Sequence, residues 1–490
     1  MHVRVILALL GLLAVSNNAL AQAPTEAPAE AKHTTNNDCY IDGIAERIRC
    51  GTIQVPENYT QPNGRQIPIH YAVLPAVQEG ARKDPLLILA GGPGQAATEL
   101  APMMNRMFTQ VRQQRDILLI DQRGTGQSNP LSCDIERADE LVRADDEQAL
   151  DEMAAQCLAQ YPDTDLTQYH TVNAIRDFER VRQQLGYQSL NLYGGSYGTR
   201  AGLVYLREAP DAVRSAVLDA VAPTQVVIGP FGLHGAQSFA QLLEHCELDQ
   251  NCRQAFPNLD ENYQGLMQQL DNDPASLMVK DPLTNESLEL LVTSGRLSSV
   301  LRVALYHPST RRLVPYTIRE TAAQNYEPLV GLMGTMMSQS PLYLGLTLSV
   351  LCSEDLPRAT PALLAEDANN TFIGGRTAEA FIDMCKPWPS FTPDPSWAEP
   401  VQSDKPVLLL SGQLDPVTPV AWGELAANTL TNSRHLVAPF GAHTIASHTC
   451  ANRLIANFIE TLDAEQLDAS CLQEQQRATP FVRSSNGAGM

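Results

Sequence analysis

At 490 residues the chain can bury a large core and is long for one compact domain, so a core with an inserted second unit is expected. A composition of 44% hydrophobic and 18% charged residues is that of a globular protein. The formal charge of −21 excludes nucleic acid as a partner, because its phosphates would be repelled, and is read as the acidity of a soluble secreted protein.

The chain opens with His2 and Arg4 ahead of an apolar run from Val5 to Val15. Ala19-Leu20-Ala21 meets the small-x-small cleavage rule, so residues 1–21 read as a signal peptide with a mature start near Gln22. The run is too short to span a bilayer comfortably, no cysteine follows it to carry a lipid anchor, and no other membrane span is expected. Residues 22–38, rich in Ala, Pro, Glu and Thr, read as a disordered leader. All 10 cysteines lie beyond the leader peptide, and an even count behind a signal peptide points to disulfides in an oxidising compartment, periplasmic or extracellular. They fall into five successive short-range pairs along the chain, which is the expected connectivity. No CxxC or HExxH pattern appears, so neither a metal nor another cofactor is expected.

A first core segment is expected over 39–222. Cys50 to Pro56 and Gln66 to Leu74 alternate like strands around the turn Pro62-Asn63-Gly64, giving an antiparallel opening. Leu86 to Ala90 is a continuous apolar run ending in Gly91-Gly92-Pro93-Gly94, and Ile117 to Ile120 runs into Asp121-Gln122-Arg123-Gly124-Thr125-Gly126-Gln127-Ser128. Apolar strands separated by helical segments, such as Val172 to Leu185, indicate a parallel sheet covered on both faces. Val213 to Leu218 is a further buried strand, ending at Asp219. From 223 to 400 the sequence turns to long helix-like stretches without a clear run of buried strands, which reads as an inserted, mainly helical cap. The sheet pattern returns with Val407 to Gly412 and His435 to Val437, so a second core segment is expected over 401–475, followed by a tail, 476–490.

The stretch Gly194-Gly195-Ser196-Tyr197-Gly198 lies between the short apolar run Leu190 to Tyr193 and a helix-like segment that stops before Pro210. A G-x-S-x-G between a strand and a helix is a nucleophile elbow: glycines flank a turn too tight for side chains, and the serine hydroxyl projects from the sheet edge. Ser196 is therefore the expected nucleophile. Such a serine needs a base, and the base needs an orienting carboxylate; on this topology the chain order is serine, acid, histidine. Asp415, in Asp415-Pro416-Val417-Thr418-Pro419, and His443, in Gly441-Ala442-His443, each follow a strand and meet that order. Asp219 is the rival acid, read as a structural residue; His435 and His448 are weaker bases by position. The oxyanion needs two N–H donors. Tyr197, next after the nucleophile, is one, and Gly92 is the other, with Gly91 second. Arg123 reads as a structural ion-pair partner.

Assembled, these pieces make an α/β protein of α/β-hydrolase fold with a mostly parallel central sheet and a helical cap. The chain resembles the serine peptidases of the prolyl aminopeptidase and tripeptidyl aminopeptidase family, in its secreted branch. The resemblance rests on Cys50-Gly51 with Val55-Pro56, the Gly91 to Gly94 loop, Asp121 to Ser128, Gly194 to Thr199, Cys352-Ser353-Glu354, Cys385-Lys386-Pro387-Trp388-Pro389, Asp415 to Pro419 and Gly441 to His443. One departure is Ala90, where the intracellular prolyl enzymes carry histidine. The resemblance implies removal of residues from peptide substrates with a free amino terminus. Recognising that ammonium calls for a carboxylate in a covered pocket, for which Glu354, then Asp355, stands in the matching place. The alternative is a carboxylesterase or lipase-type hydrolase with the same triad. Serine at the elbow excludes an aspartate-nucleophile hydrolase.

Overall fold

The computed structural model describes residues 37–133, 142, 149–280, 285–337, 342–474 and 480–484. The expected signal peptide, nearly all of the expected leader and part of the tail lie outside the described residues. The strands are β1 (Asn37–Cys39), β2 (Ile48–Pro56), β3 (Gln66–Leu74), β4 (Arg82–Leu89), β5 (Arg115–Ile120), β6 (Leu190–Gly195), β7 (Val213–Asp219), β8 (Ala275–Lys280), β9 (Ser287–Val292), β10 (Val407–Gly412) and β11 (Ser433–Ala438). Nine of them form one sheet in the order β1-β2-β3-β5-β4-β6-β7-β10-β11. The pairs from β1 to β5 are antiparallel, and those from β5 through β4, β6, β7 and β10 to β11 are parallel. Asn37 and Asp38, assigned to the leader by composition, pair with β2, and the Cys39–Cys50 bridge staples them there.

The continuous apolar runs mark strands covered on both faces. Every residue of β5 and of β10 is buried. Because side chains alternate, Leu87 and Leu89 enter one core layer with the helices Thr171–Gln184 and Tyr197–Glu208. Leu86 and Ile88 enter the other, against the helix Ala451–Thr461. Arg123 is fully buried in a two-pronged pair with Asp177, at 2.7 Å from each carboxylate oxygen, and also donates to the Glu57 carbonyl. It is a structural brace. Asp177→Ala leaves that guanidinium without its counter-charge and is expected to lower stability by about 3–5 kcal/mol, read by chemical denaturation.

Between β7 and β10 the chain is largely helical. One part has its own apolar core, including Leu242, Tyr263, Leu297, Ile318 and Phe372. Leu346, Leu348, Cys352, Met384, Trp388 and Trp397 instead join the core layer of Leu87 and Leu89. The expected cap of 223–400 therefore does not stand apart from the sheet as one unit. This stretch also contains the antiparallel hairpin β8–β9, which the sequence reading did not anticipate. Burial alternates residue by residue along β8, so no continuous apolar run marks it. Phe481 of the tail packs into the core around Leu242 as well. Asp355 ties the cap to the elbow helix through Arg200, with both side chains fully buried. Five disulfides form between successive cysteines, Cys39–Cys50, Cys133–Cys157, Cys246–Cys252, Cys352–Cys385 and Cys450–Cys471, as an oxidising compartment allows. Among the described residues no helix is long and apolar enough to cross a membrane.

Candidate active site

Ser196 sits at the C-terminal end of β6 with φ 57° and ψ −125°, a backbone conformation costly for a residue with a side chain. Two contacts make the turn possible. A side chain at Gly198 would run into the Leu89 carbonyl, and one at Gly194 into the Gly198 carbonyl. The elbow helix thus lies directly on β4 and β6, and the half-buried Ser196 tops the sheet. Positive φ recurs at Ala220 and Thr444, just after Asp219 and His443. Each of the three loops that meet at the site thus carries one strained residue.

His443 Nδ1 lies 2.8 Å from Asp415 Oδ2. Asp415 is itself held: its Oδ1 accepts from the Val417 and Thr418 amides at 2.8 and 3.0 Å, and its Oδ2 accepts from the Thr418 hydroxyl at 2.7 Å. Burial works against its charge, but the adjacent imidazole and these donors outweigh that and hold the carboxyl below its ordinary range. The imidazole is therefore fixed in place, with its other nitrogen left for chemistry. His435 is spent on Ser411 at 2.8 Å, and His448 accepts from the Ala442 amide at 3.3 Å, so neither competes.

Asp219, the rival acid, does something else. Its oxygens accept from the Ile445 and Ala446 amides, each at 2.9 Å, and from the Tyr193 hydroxyl at 3.1 Å. Its main-chain carbonyl accepts from Ser196 N at 2.9 Å. One residue thereby links the elbow to the loop that carries His443. Burial pushes its carboxyl up to about 6.

The glycine loop after β4 touches the elbow: a Cβ at Gly91 would meet Ser196 Cβ at 3.4 Å. The Gly91 amide already donates to Gln95 Oε1 at 3.1 Å. The amides of Gly92 and of Tyr197, the first residue of its helix, have no acceptor among the described residues. These two open amides belong to the residues put forward as oxyanion donors, Tyr197 directly after Ser196 and Gly92 in the loop that touches it through Gly91.

Glu354 and Asp355 part company. They fall in a π-helical turn, Leu351–Asp355. Asp355 gives both oxygens to Arg200 Nη1, at 2.6 and 2.7 Å, and also accepts from Ile228 N at 2.8 Å. No direction remains for a ligand's ammonium, so Asp355 is a strut between cap and elbow helix rather than a substrate contact. Glu354 accepts from Thr171 N at 2.8 Å and from the Thr171 hydroxyl at 2.7 Å, and that hydroxyl lies 2.7 Å from the Tyr197 hydroxyl. Burial raises its carboxyl to about 7 against these hydrogen bonds.

Sequence reasoning assigned no role to Thr418, although it stands inside a quoted motif, and missed Tyr306 of the cap altogether. The Tyr306 carbonyl accepts from His443 N at 3.0 Å, and its ring meets the imidazole edge-on with centroids 5.0 Å apart. No local pattern announces a cap carbonyl that braces a core loop. Among the described residues no group of three or more His, Cys, Asp and Glu side chains could hold a metal ion.

Residues 84–311 match the family model of the α/β-hydrolase fold, and residues 370–471 match that of TAP-like proteins. The chain is 26% identical over 270 residues to the putative hydrolase YuaR of Escherichia coli, covering 51% of this chain and 53% of that protein. It is 29% identical over 184 residues to the serine protease Hip1 of Mycobacterium tuberculosis, 35% of each chain. To the tripeptidyl aminopeptidase of Streptomyces lividans it is 32% identical over 203 residues, 38% of this chain and 37% of that one. The chain spans between about a third and about half the length of these relatives. With both models matched and a strained serine elbow on a mostly parallel nine-stranded sheet, the chain has the α/β-hydrolase fold, and its residues 370–471 are similar to TAP-like proteins.

Proposed function

We propose that the protein is a secreted serine aminopeptidase, of tripeptidyl or prolyl type, that hydrolyses peptides from a free amino terminus through an acyl-enzyme. Ser196 Oγ attacks the scissile carbonyl as His443 takes its proton. The Tyr197 and Gly92 amides hold the oxyanion, and His443 returns the proton to the leaving amine. Water then enters by the same route and releases the acyl group. Asp415 keeps the imidazole in the tautomer that can accept from serine. The observation that carries this reading is the 2.8 Å contact between His443 and Asp415, on loops of the sheet edge that also bears the Ser196 elbow. Similarity to a tripeptidyl aminopeptidase and a serine protease supports the peptide substrate, and the five disulfides support secretion.

Release of a chromogenic amine tests the reading. The panel holds single-residue anilides with free amino termini, tripeptide anilides with free and acetylated termini, and a short-chain ester. Cleavage of free termini but not of acetylated ones is the expected result. Turnover of the ester alone would replace the peptidase reading by the esterase one.

Glu354 is the carboxylate proposed to meet the substrate ammonium. It is closed to solvent, so this role requires the Thr171 hydroxyl to yield one oxygen. Glu354→Gln is expected to raise KM for free-terminus substrates while sparing the ester. The same variant has a pH signature in stability. The folded-state pKa, raised to about 7, keeps the proton on through a range in which an unfolded glutamate has lost it. Wild-type stability should therefore fall as pH rises from about 5 to about 8, because the unfolded state releases its proton first. In Glu354→Gln that fall should be shallower, with a residual slope from Asp219, when unfolding free energy is followed across this range.

A further inference from the structure

We infer that Arg302 of the cap binds a carboxylate on the leaving-group side of the scissile bond, so that preferred substrates carry a negative charge just beyond the bond that is cut. This rests on the aminopeptidase reading above and extends it to the departing half of the substrate.

The sheet order sets the two sides of the site. The glycine loop after β4 lies on one side of β6, and the loops after β10 and β11, with Asp415 and His443, lie on the other. The acyl oxygen is held on the glycine side. The leaving amine must lie against His443, which gives it a proton. Groups packed on the far side of His443 therefore flank the departing residues.

Tyr306 packs against His443, ring centroids 5.0 Å apart, and Arg302 is packed on Tyr306. The guanidinium stands 5.5 Å from the Tyr306 ring centroid and 5.7 Å from that of Phe231, and its Nη1 donates to the Tyr306 hydroxyl at 3.0 Å. Two rings fix a flat cation, which lowers the entropy lost when it engages a ligand. No carboxylate of the described residues lies within 4.0 Å of it, although the chain carries a formal charge of −21. Nε is buried without a partner, and Nη2 has no acceptor among the described residues. The acid in electrostatic reach is Asp367, whose Oδ1 accepts from Leu233 N at 3.0 Å at the start of the helix Gly232–Leu248. Asp367 forms no ion pair with Arg302 within 4.0 Å. Arg302 thus presents an ordered guanidinium whose Nη2 edge is uncommitted, one ring beyond the base. Its chemical complement is a carboxylate. In a peptide that group is either the terminal carboxylate of a short substrate or an acidic side chain next after the cut.

Matched peptides separate these sources: one pair with a single residue after the scissile bond, as free acid or amide, and another with Asp or Asn there, both amidated. A charge-assisted hydrogen bond in a partly covered site corresponds to roughly a 10- to 100-fold preference in kcat/KM for the anionic member. Arg302→Gln is expected to bring that ratio close to one, and Arg302→Lys, which keeps the charge but loses the fork, to retain part of it. The free-terminus anilide, which has no such carboxylate, reports whether each variant still turns over. A wild type that cuts charged and neutral partners alike would overturn the inference, as would a preference that survives in Arg302→Gln. A wild type that cleaves no free-terminus anilide defeats the aminopeptidase reading itself, a separate outcome.

Discussion

Ser196→Ala is expected to lower kcat about a million-fold, with no burst of product in the first turnover. The loss follows from the elbow. Ser196 is the residue forced to φ 57° so that its hydroxyl stands clear of the sheet, and alanine in the same backbone presents a methyl group that cannot attack a carbonyl. The proposed oxyanion donors belong to the backbones of Tyr197 and Gly92, so they survive the substitution. Residual activity should accordingly stay about a thousand- to ten-thousand-fold above that of water. The protein should still fold, because alanine keeps Cβ and the buried contacts of the turn come from Gly194 and Gly198. Active-site titration with an acylating substrate, beside a thermal melt, separates loss of chemistry from loss of structure. A variant that retained a substantial fraction of wild-type turnover would remove Ser196 from the mechanism.

Asp415→Asn is the second large effect, at about ten-thousand-fold in kcat. Here the argument is one of donors and acceptors. Oδ1 of Asp415 accepts from two amides, those of Val417 and Thr418, so an asparagine there must turn its oxygen toward them. Its NH2 group then faces the Thr418 hydroxyl and His443 Nδ1. An amide donor toward Nδ1 selects the imidazole tautomer with its proton on the other nitrogen, the one that should receive the proton of Ser196. The base is present but blocked. Stability should change little, since shape and most hydrogen bonds are kept, and the deficit should appear in kcat with KM near its wild-type value. Equal losses in kcat and melting temperature would point instead to a collapsed loop.

The fold was legible because its signals are local. Continuous apolar runs at Leu86 to Leu89, Ile117 to Ile120 and Val407 to Leu410 mark strands covered on both faces, and all three lie in the parallel part of the sheet, β5 beside β4 and β10 beyond β6 and β7. The cap hairpin β8–β9 was not legible, because half-burial at alternate residues leaves no run to see. At the site, the order of serine, acid and histidine placed three residues at strand ends. The partners that hold them stayed hidden: the Asp219 clasp on Ile445 and Ala446, and the Tyr306 carbonyl on His443.

The sequence by itself determined the elbow and the strand ends around it, since each depends on steric and apolar patterns within a few residues. The successive pairing of the cysteines was an expectation that the structure decided. Chain order singled out Asp415 over Asp219, but only the tertiary structure decided which partners hold Asp219, Glu354, Asp355 and Asp415, because a carboxylate's surroundings are set by the donors that reach it. Those donors arrive from Ile445, Thr171, Arg200 and His443, positions that only the closed sheet and its cap bring within hydrogen-bonding distance.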